Sequence, residues 1–237
     1  MDSSRTPQKK GLVIAIDGPA GSGKSTVAWE LARRLGLKYI DTGAMYRAIT
    51  LKAMRAGTNL ADEQAFRRLC DQTTIELAQQ GDKLRTLLDG EDVSGPIRDP
   101  EVTRNVFYAA RSPKVRAFMV AAQQRMGAQG GVVAEGRDAT TVIFPNATKK
   151  VYLDARLAVR AQRRLKDLTA RQPLPSLADV ETEMRERDQK DLTRAVGPLR
   201  RVPDALYLDT SDMGIEEVVE RILAFVREGS RPQAGSP

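Results

Sequence analysis

Apolar residues along this chain fall into short continuous runs and longer periodic stretches. Leu12 to Ile16 is an unbroken run that ends at Asp17-Gly18, the pattern of a strand buried on both faces. From Ser25 the spacing becomes helical, with Val27, Leu31 and Leu35 on one face, and the pattern stops at Gly36. Tyr39-Ile40 predicts a second short strand before Asp41. Ala44 to Ala56 and Asp62 to Asp71 predict helices. From Thr74 to Ser94 the apolar positions Ile75, Leu77, Leu84, Leu87, Leu88 and Val93 are broken by Gln-Gly-Asp and Asp-Gly, which predicts a small antiparallel meander. Helical spacing resumes at Pro100, and a longer helix is expected from Pro113 to about Gln129. Val132-Val133 and Val151 to Leu153 are further strand candidates. Helices over Ala155–Leu168 and Leu177–Leu192 are separated by RQPLPS, and strand Ala205–Leu208 and helix Ile215–Arg227 close the pattern. Strands alternating with helices, with no internal repeat, predict a doubly wound parallel sheet.

Composition narrows the chemistry. Aromatics are 5% of the 237 residues, so the core must rely on aliphatic side chains. There is no histidine, and Cys70 is the single cysteine, which excludes an internal disulfide and the usual zinc sites. A metal here would be a hard cation held by oxygen, Mg²⁺ first among them. Cys70 itself reads as a small packed residue in an amphipathic stretch. The formal net charge of +7 suits a phosphate-rich partner but does not separate nucleotides from nucleic acid. The polar start MDSSRTPQKK and the brief run LVIAI fit neither a secretory leader nor a membrane span, so a cytoplasmic protein is expected. By composition, residues 1–10 and 229–237 are expected to be disordered tails.

The segment Gly18, Pro19, Ala20, Gly21, Ser22, Gly23, Lys24, Ser25 matches G-x-x-x-x-G-K-[ST], the P-loop, and Thr26 follows it. Its glycines let backbone N–H groups turn around phosphate oxygens where a side chain would block the approach. Lys24 is expected to reach the β- and γ-phosphates of ATP, Ser25 to ligate Mg²⁺, and the helix start to add its positive dipole end. A strand before the segment and a helix after it set it apart from a chance glycine-rich turn. No guanine-reading N-K-x-D occurs, and Asp62-Glu63 follows TNLA rather than a strand, so it reads as a helix start.

From Asp41 runs DTGAMYR, from Leu88 LDGEDVSGPIR, from Ser112 SPKVR, from Glu135 EGRD with VIFP after it, and from Arg185 RERDQKDLTRAVGPL. In this order they resemble the bacterial cytidylate kinases over nearly the whole chain, from Gly11 to about Phe225. The resemblance implies a three-layer α/β/α P-loop kinase fold with a mostly parallel sheet. It further implies one kinase domain over 11–228, an acceptor-binding region with an antiparallel insert at about 42–112, and a helical lid at about 165–200. It implies transfer from ATP to CMP and dCMP by a monomer, with no nucleic-acid or membrane partner. Thr42, Arg116 and Asp138 would read the cytosine, Asp138 accepting from its amino group. Arg47 and Arg137 would hold the acceptor phosphate through bidentate forks. Asp191 would bind the ribose, while Arg187 and Arg194 contact sugar, base or transferring phosphate. Lys24, Arg137, Arg187 and Arg194 would then carry the catalytic charge. Spacing on the predicted helix places Arg187, Asp191 and Arg194 on one face, where Asp191 and Arg194 could also form a plain salt bridge.

Two positions depart from the family pattern. Thr140 stands where a glycine is common, which puts the local loop geometry in question. Phe107 stands where a serine contacts the ribose, and it cannot donate that hydrogen bond. Rival readings are another acceptor such as UMP, AMP or shikimate, and a nucleic-acid-binding ATPase. The few aromatics for base stacking argue against the latter.

Overall fold

The strand β1 (Val13–Asp17) is buried because strands pair with it on both sides, β6 (Val132–Gly136) and β7 (Lys149–Asp154), both parallel. In the computed structural model, which describes residues 11–81, 83–168 and 174–228, this is the centre of a five-stranded parallel sheet of order β2-β6-β1-β7-β8. β2 spans Lys38–Asp41 and β8 Leu206–Asp209. The expected tails at 1–10 and 229–237, and residues 169–173 of the expected lid, lie outside the described residues.

Alternation along β1 sorts its side chains into two layers. Ile14 and Ile16 pack with Val27, Leu31 and Ile222 from α1 (Lys24–Leu35) and α8 (Ile215–Glu228). Ala15 faces the opposite side, against Ile143, Val120 and Phe144. Helices therefore cover both faces of the sheet, as a parallel sheet requires. α1 stops at Gly36, whose left-handed φ of 61° lets its N–H return to the last carbonyls of the helix.

The chain between β2 and β6 builds a lobe with its own core. α2 (Thr42–Arg55), α3 (Glu63–Asp71), α4 (Pro100–Arg111) and α5 (Pro113–Met126) gather Met45, Ile49, Phe66, Cys70 and Met119. The expected meander is a separate antiparallel sheet of β3 (Ile75–Gln80), β4 (Lys83–Leu88) and β5 (Glu91–Asp92), resting on α2 through Leu88 and Val93. Asp62 caps α3 by accepting from the N–H groups of Gln64 and Ala65, as its position before the apolar face suggests. After β7, α6 (Leu157–Asp167) and α7 (Leu177–Thr193) pack together and against the loop that follows β1. No described helix is long and apolar enough to cross a membrane.

Candidate active site

β1 ends at Asp17 and α1 begins at Lys24, so residues 18–23 turn between a buried strand and a helix N-terminus. Gly18 has φ 151°, and a side chain there would collide with the Leu153 carbonyl oxygen on β7. Inside the loop the Pro19 carbonyl accepts from Ser22 Oγ at 3.1 Å and from Lys24 Nζ at 2.7 Å. The Lys24 ammonium is thus folded onto its own loop and almost wholly buried. Burial and the guanidiniums of Arg137 and Arg187 push its pKa down to about 7, against the opposing pull of Glu135 and Asp17.

Parallel register brings three carboxylates to the C-terminal ends of adjacent strands. Glu135 lies level with Ile16 on one side and with Asp41 on the other, while Asp17 pairs with Gly136. Ligands in open α/β sheets bind at this edge. Glu135 accepts from Ser25 Oγ at 2.7 Å and from the Tyr39 hydroxyl at 3.3 Å. Asp41 caps α2 through Ala44 N at 2.8 Å, and burial together with Glu135 raises its pKa to about 6. Thr42, the first residue of α2, donates to the Glu135 carbonyl at 2.7 Å. Ser25 Oγ thus lies against the Glu135 carboxylate. The Ser25 hydroxyl beside a carboxylate fits a hard, oxygen-preferring cation; among the described residues no three of Asp, Glu, Cys or His are grouped to hold one.

Asp17 explains Thr140. Its carboxylate is fully buried and accepts from Ala139 N at 2.8 Å, Thr140 N at 2.8 Å and Thr140 Oγ1 at 2.6 Å. Burial raises its pKa to about 6 despite these bonds. The expected restriction of the loop does not arise: residues 139–143 form one π-helical turn, and Thr140 is not among the positive-φ residues. No glycine is needed there, and the threonine adds a hydroxyl that ties the EGRD loop to β1. Thr140→Val keeps the shape and removes that donor. It is expected to cost about 1.5–3 kcal/mol in equilibrium unfolding, the range for a hydrogen bond to a charged group. A loss under about 0.5 kcal/mol would show the hydroxyl to be idle.

Past the EGRD loop, Asp138 is buried in an ion pair with Arg116 on α5, and Arg194 Nη2 lies 3.4 Å from its other oxygen. Gly197, at φ 58°, packs its backbone directly on both members of the Arg116–Asp138 pair, leaving no room for a side chain. Around Asp138 several buried polar atoms have no hydrogen-bond partner among the described residues: Tyr46 Oη, Arg116 Nε, Arg116 Nη1 and Arg194 Nη2. Tyr46 also lies under the Arg116 guanidinium, 5.9 Å from its ring centroid. Buried polar atoms left unpaired by the protein fit partners supplied by a bound molecule.

Near this buried polar cluster and the loop stands a group of cations. Arg137 Nε donates to Asp191 at 2.7 Å, and Arg187 makes no ion pair among the described residues. Arg47 Nη1 donates to Thr103 Oγ1 at 2.5 Å and to the Ile97 carbonyl at 3.4 Å. Burial and the guanidiniums of Arg187, Arg164 and Arg137 lower its pKa to about 9, with Asp41 pulling the other way. Burial and the same cluster hold Arg187 below its ordinary value. A cluster of mutually repelling buried cations is the arrangement that suits an incoming anion.

One expectation is corrected. Arg194 does not share a helix face with Arg187 and Asp191, because α7 ends at Thr193 and Arg194 is extended, at ψ 140°. Its Nε donates to the Gly197 carbonyl at 2.5 Å and its charge meets Asp138, while Asp191 pairs with Arg137. The helix salt bridge between Asp191 and Arg194 is therefore not formed. Phe107 is half-buried on α4, flanked by Arg111 and by Lys190 of α7 at 5.2 and 5.6 Å from its ring centroid. Residues 18–25, Thr42, Arg47, Arg116, Arg137, Asp138, Arg187, Asp191 and Arg194 come together at this one edge, and Thr26 follows them exposed on α1. Tyr46, Glu135 and Arg164 belong with them and were not singled out from the sequence. Tyr46 and Glu135 did stand inside the DTGAMYR and EGRD segments, whereas Arg164 carried no local signal.

A P-loop sequence between a strand and a helix, a cation cluster and a buried polar cluster at the carboxyl edge of a parallel sheet are the features of a P-loop phosphotransferase. A family model described as Cytidylate kinase matches residues 14–228. The cytidylate kinase of Pelotomaculum thermopropionicum is 48% identical over 219 residues, covering 92% of this chain and 97% of the relative. That of Geobacillus kaustophilus is 45% identical over 220 residues, covering 93% and 98%. A bifunctional pantoate ligase/cytidylate kinase of Prochlorococcus marinus is 46% identical over 217 residues; this chain spans 44% of its length. A solved shikimate kinase from Acinetobacter baumannii aligns with 94% of this chain and 97% of its own at 17% identity and a TM-score of 0.47. The chain belongs to the cytidylate kinase family.

Proposed function

We propose that the protein moves the γ-phosphoryl group of ATP to CMP, and to dCMP, giving ADP and the nucleoside diphosphate. The observation that carries this reading is the cluster of Lys24, Arg187, Arg137 and Arg47 near the buried Asp138, beside which Tyr46 Oη, Arg116 Nε and Arg116 Nη1 have no hydrogen-bond partner among the described residues. Asp138 accepts from the cytosine amino group, and Arg116, Arg194 and Thr42 supply further polar contacts to the base. Arg47 and Arg137 take the acceptor phosphate, and Asp191 takes the sugar hydroxyls. An acceptor phosphate oxygen is already a nucleophile at neutral pH, so no general base is needed, in keeping with a chain that lacks histidine.

The residues position two anions and spread the charge of the transferring group over Lys24, Arg137 and Arg187. Ser25, whose hydroxyl donates to Glu135, would hold Mg²⁺ carried with the triphosphate, which would supply neutralisation of phosphate charge. We assign the acceptor region to about 42–112 and the lid to about 165–200, which closes to exclude water. The reading places a monomer in the cytoplasm, with ATP and the acceptor nucleotides as its partners.

The deciding assay follows ADP formation from Mg-ATP with CMP, dCMP, UMP or AMP, beside a control without acceptor. Fast turnover with CMP supports the reading, and the dCMP rate measures what Phe107 does to sugar selection. Equal rates with all four would discard the cytosine assignment. Arg47→Ala is expected to raise the KM for CMP by about 10–100-fold, the worth of a charged hydrogen bond, with the KM for ATP little changed. An unchanged CMP dependence would remove Arg47 from the acceptor site.

A further inference from the structure

Arg160, on α6, is buried, and its guanidinium joins three parts of the molecule. Nε donates to the Ala155 carbonyl at 2.8 Å, and Nη1 donates both to the Ala20 carbonyl at 3.1 Å and to Asp188 Oδ2 at 2.6 Å. Ala20 is the third residue of the phosphate loop, and Asp188 lies on α7 beside Arg187. The same junction is packed as well as hydrogen-bonded. Ala20 is buried with Ala161, Leu168, Val180 and Met184, and a Cβ placed on Gly21 would meet Met184 Cε at 2.9 Å and Arg160 Cβ at 3.1 Å. The loop's outer wall is thus made of α6 and α7 side chains. None of the phosphate, sugar or base roles assigned above uses Arg160 or Asp188.

Peptide geometry gives this junction a consequence. In a planar trans peptide the C=O of residue 20 and the N–H of residue 21 point in opposite directions. A guanidinium that holds the Ala20 carbonyl outward therefore turns the Gly21 N–H inward, toward the space the loop encloses. Gly21, at φ 76°, has no side chain to bar a flip of this peptide. Asp188 in turn fixes the guanidinium, and its Oδ1 is buried without a hydrogen-bond partner among the described residues, so its one bond is to Arg160.

We propose that Arg160 and Asp188 are a positioning pair that locks the Ala20–Gly21 peptide in its phosphate-binding orientation and makes that orientation depend on α7 being docked. The proposal rests on residues 18–25 being a triphosphate site, and it adds that donor affinity is set partly by two residues that touch no nucleotide. Lysine at 160 keeps the charge but cannot serve three acceptors from one planar fork. Asparagine at 188 keeps the shape and loses the charge.

The test is equilibrium titration of ATP into the wild-type protein, Arg160→Lys, Asp188→Asn and the double variant, each checked for thermal unfolding. Arg160→Lys is expected to raise the Kd for ATP at least tenfold and Asp188→Asn about fivefold. The double variant should be no weaker than Arg160→Lys alone, since both changes release the same peptide. A general loss of packing would instead lower the melting temperature and leave the two ATP effects to multiply. Kd values within twofold of wild type, or a double variant whose effect is the product of the singles, would overturn the pair. ATP binding by a wild-type protein that transfers nothing to CMP would refute the acceptor reading, and the same pattern of ATP affinities among the variants would still support the pair.

Discussion

Lys24→Ala is expected to lower phosphoryl transfer to CMP by about 10²–10³-fold, the usual loss when one preorganised charge donor is removed from a reaction site. The fold should survive the change. Lys24 is held with its pKa depressed to about 7 by burial, Arg137 and Arg187, so folding works against its charge. The protein loses one hydrogen bond to the Pro19 carbonyl and is relieved of a desolvated ammonium in the middle of a cation cluster. Steady-state kinetics beside a thermal melt separate the outcomes. Low turnover with an unchanged melt places Lys24 in the chemistry. Near-normal turnover would take the loop out of the reaction, and a collapsed melt would make Lys24 a structural residue.

Local pattern exposes the scaffold of this site far better than its wiring. The run Leu12–Ile16 and the stop at Gly36 bound β1 and α1 closely, because burial on both strand faces and a left-handed helix end leave marks in adjacent residues. The Gly-Asp and Asp-Gly breaks likewise reveal the β3–β5 meander. Partner choice leaves no such mark. Ser25 meets Glu135 across 110 residues, Asp17 meets Thr140 across 123, and Arg137 meets Asp191 across 54. These pairs are set by strand order and by where α7 ends, neither of which a helical wheel contains. Arg194 illustrates the failure: three residues after Asp191 it would share a face, yet the helix stops one residue too early. Arg164 was overlooked for the related reason that one arginine among many has no signal until the fold places it near Arg47 and Arg187.

Asp138→Asn is expected to damage the protein twice, in stability and in recognition of CMP. Asp138 is the carboxylate that meets both Arg116, whose side chain is 2% exposed, and Arg194, at 6%. Asparagine fits the space but brings no charge, leaving two buried guanidiniums uncompensated. Breaking one side of a buried ion pair costs about 3–5 kcal/mol, because the remaining charge stays desolvated. For a chain of this size that is a fall in melting temperature of about 6–20 °C. The recognition effect is read in the same experiment. CMP at about 100 times its Kd should stabilise the wild-type protein by about 2.7 kcal/mol, and the variant should gain little, since an amide at this position no longer offers a carboxylate to the cytosine amino group. A variant that melts early but keeps its full response to CMP would confine Asp138 to holding Arg116 and Arg194. One that melts normally and ignores CMP would make the pocket a recognition device whose charges the fold could spare. Losing both together is the result that a shared role requires, in which the residue that balances the buried arginines also reads the base.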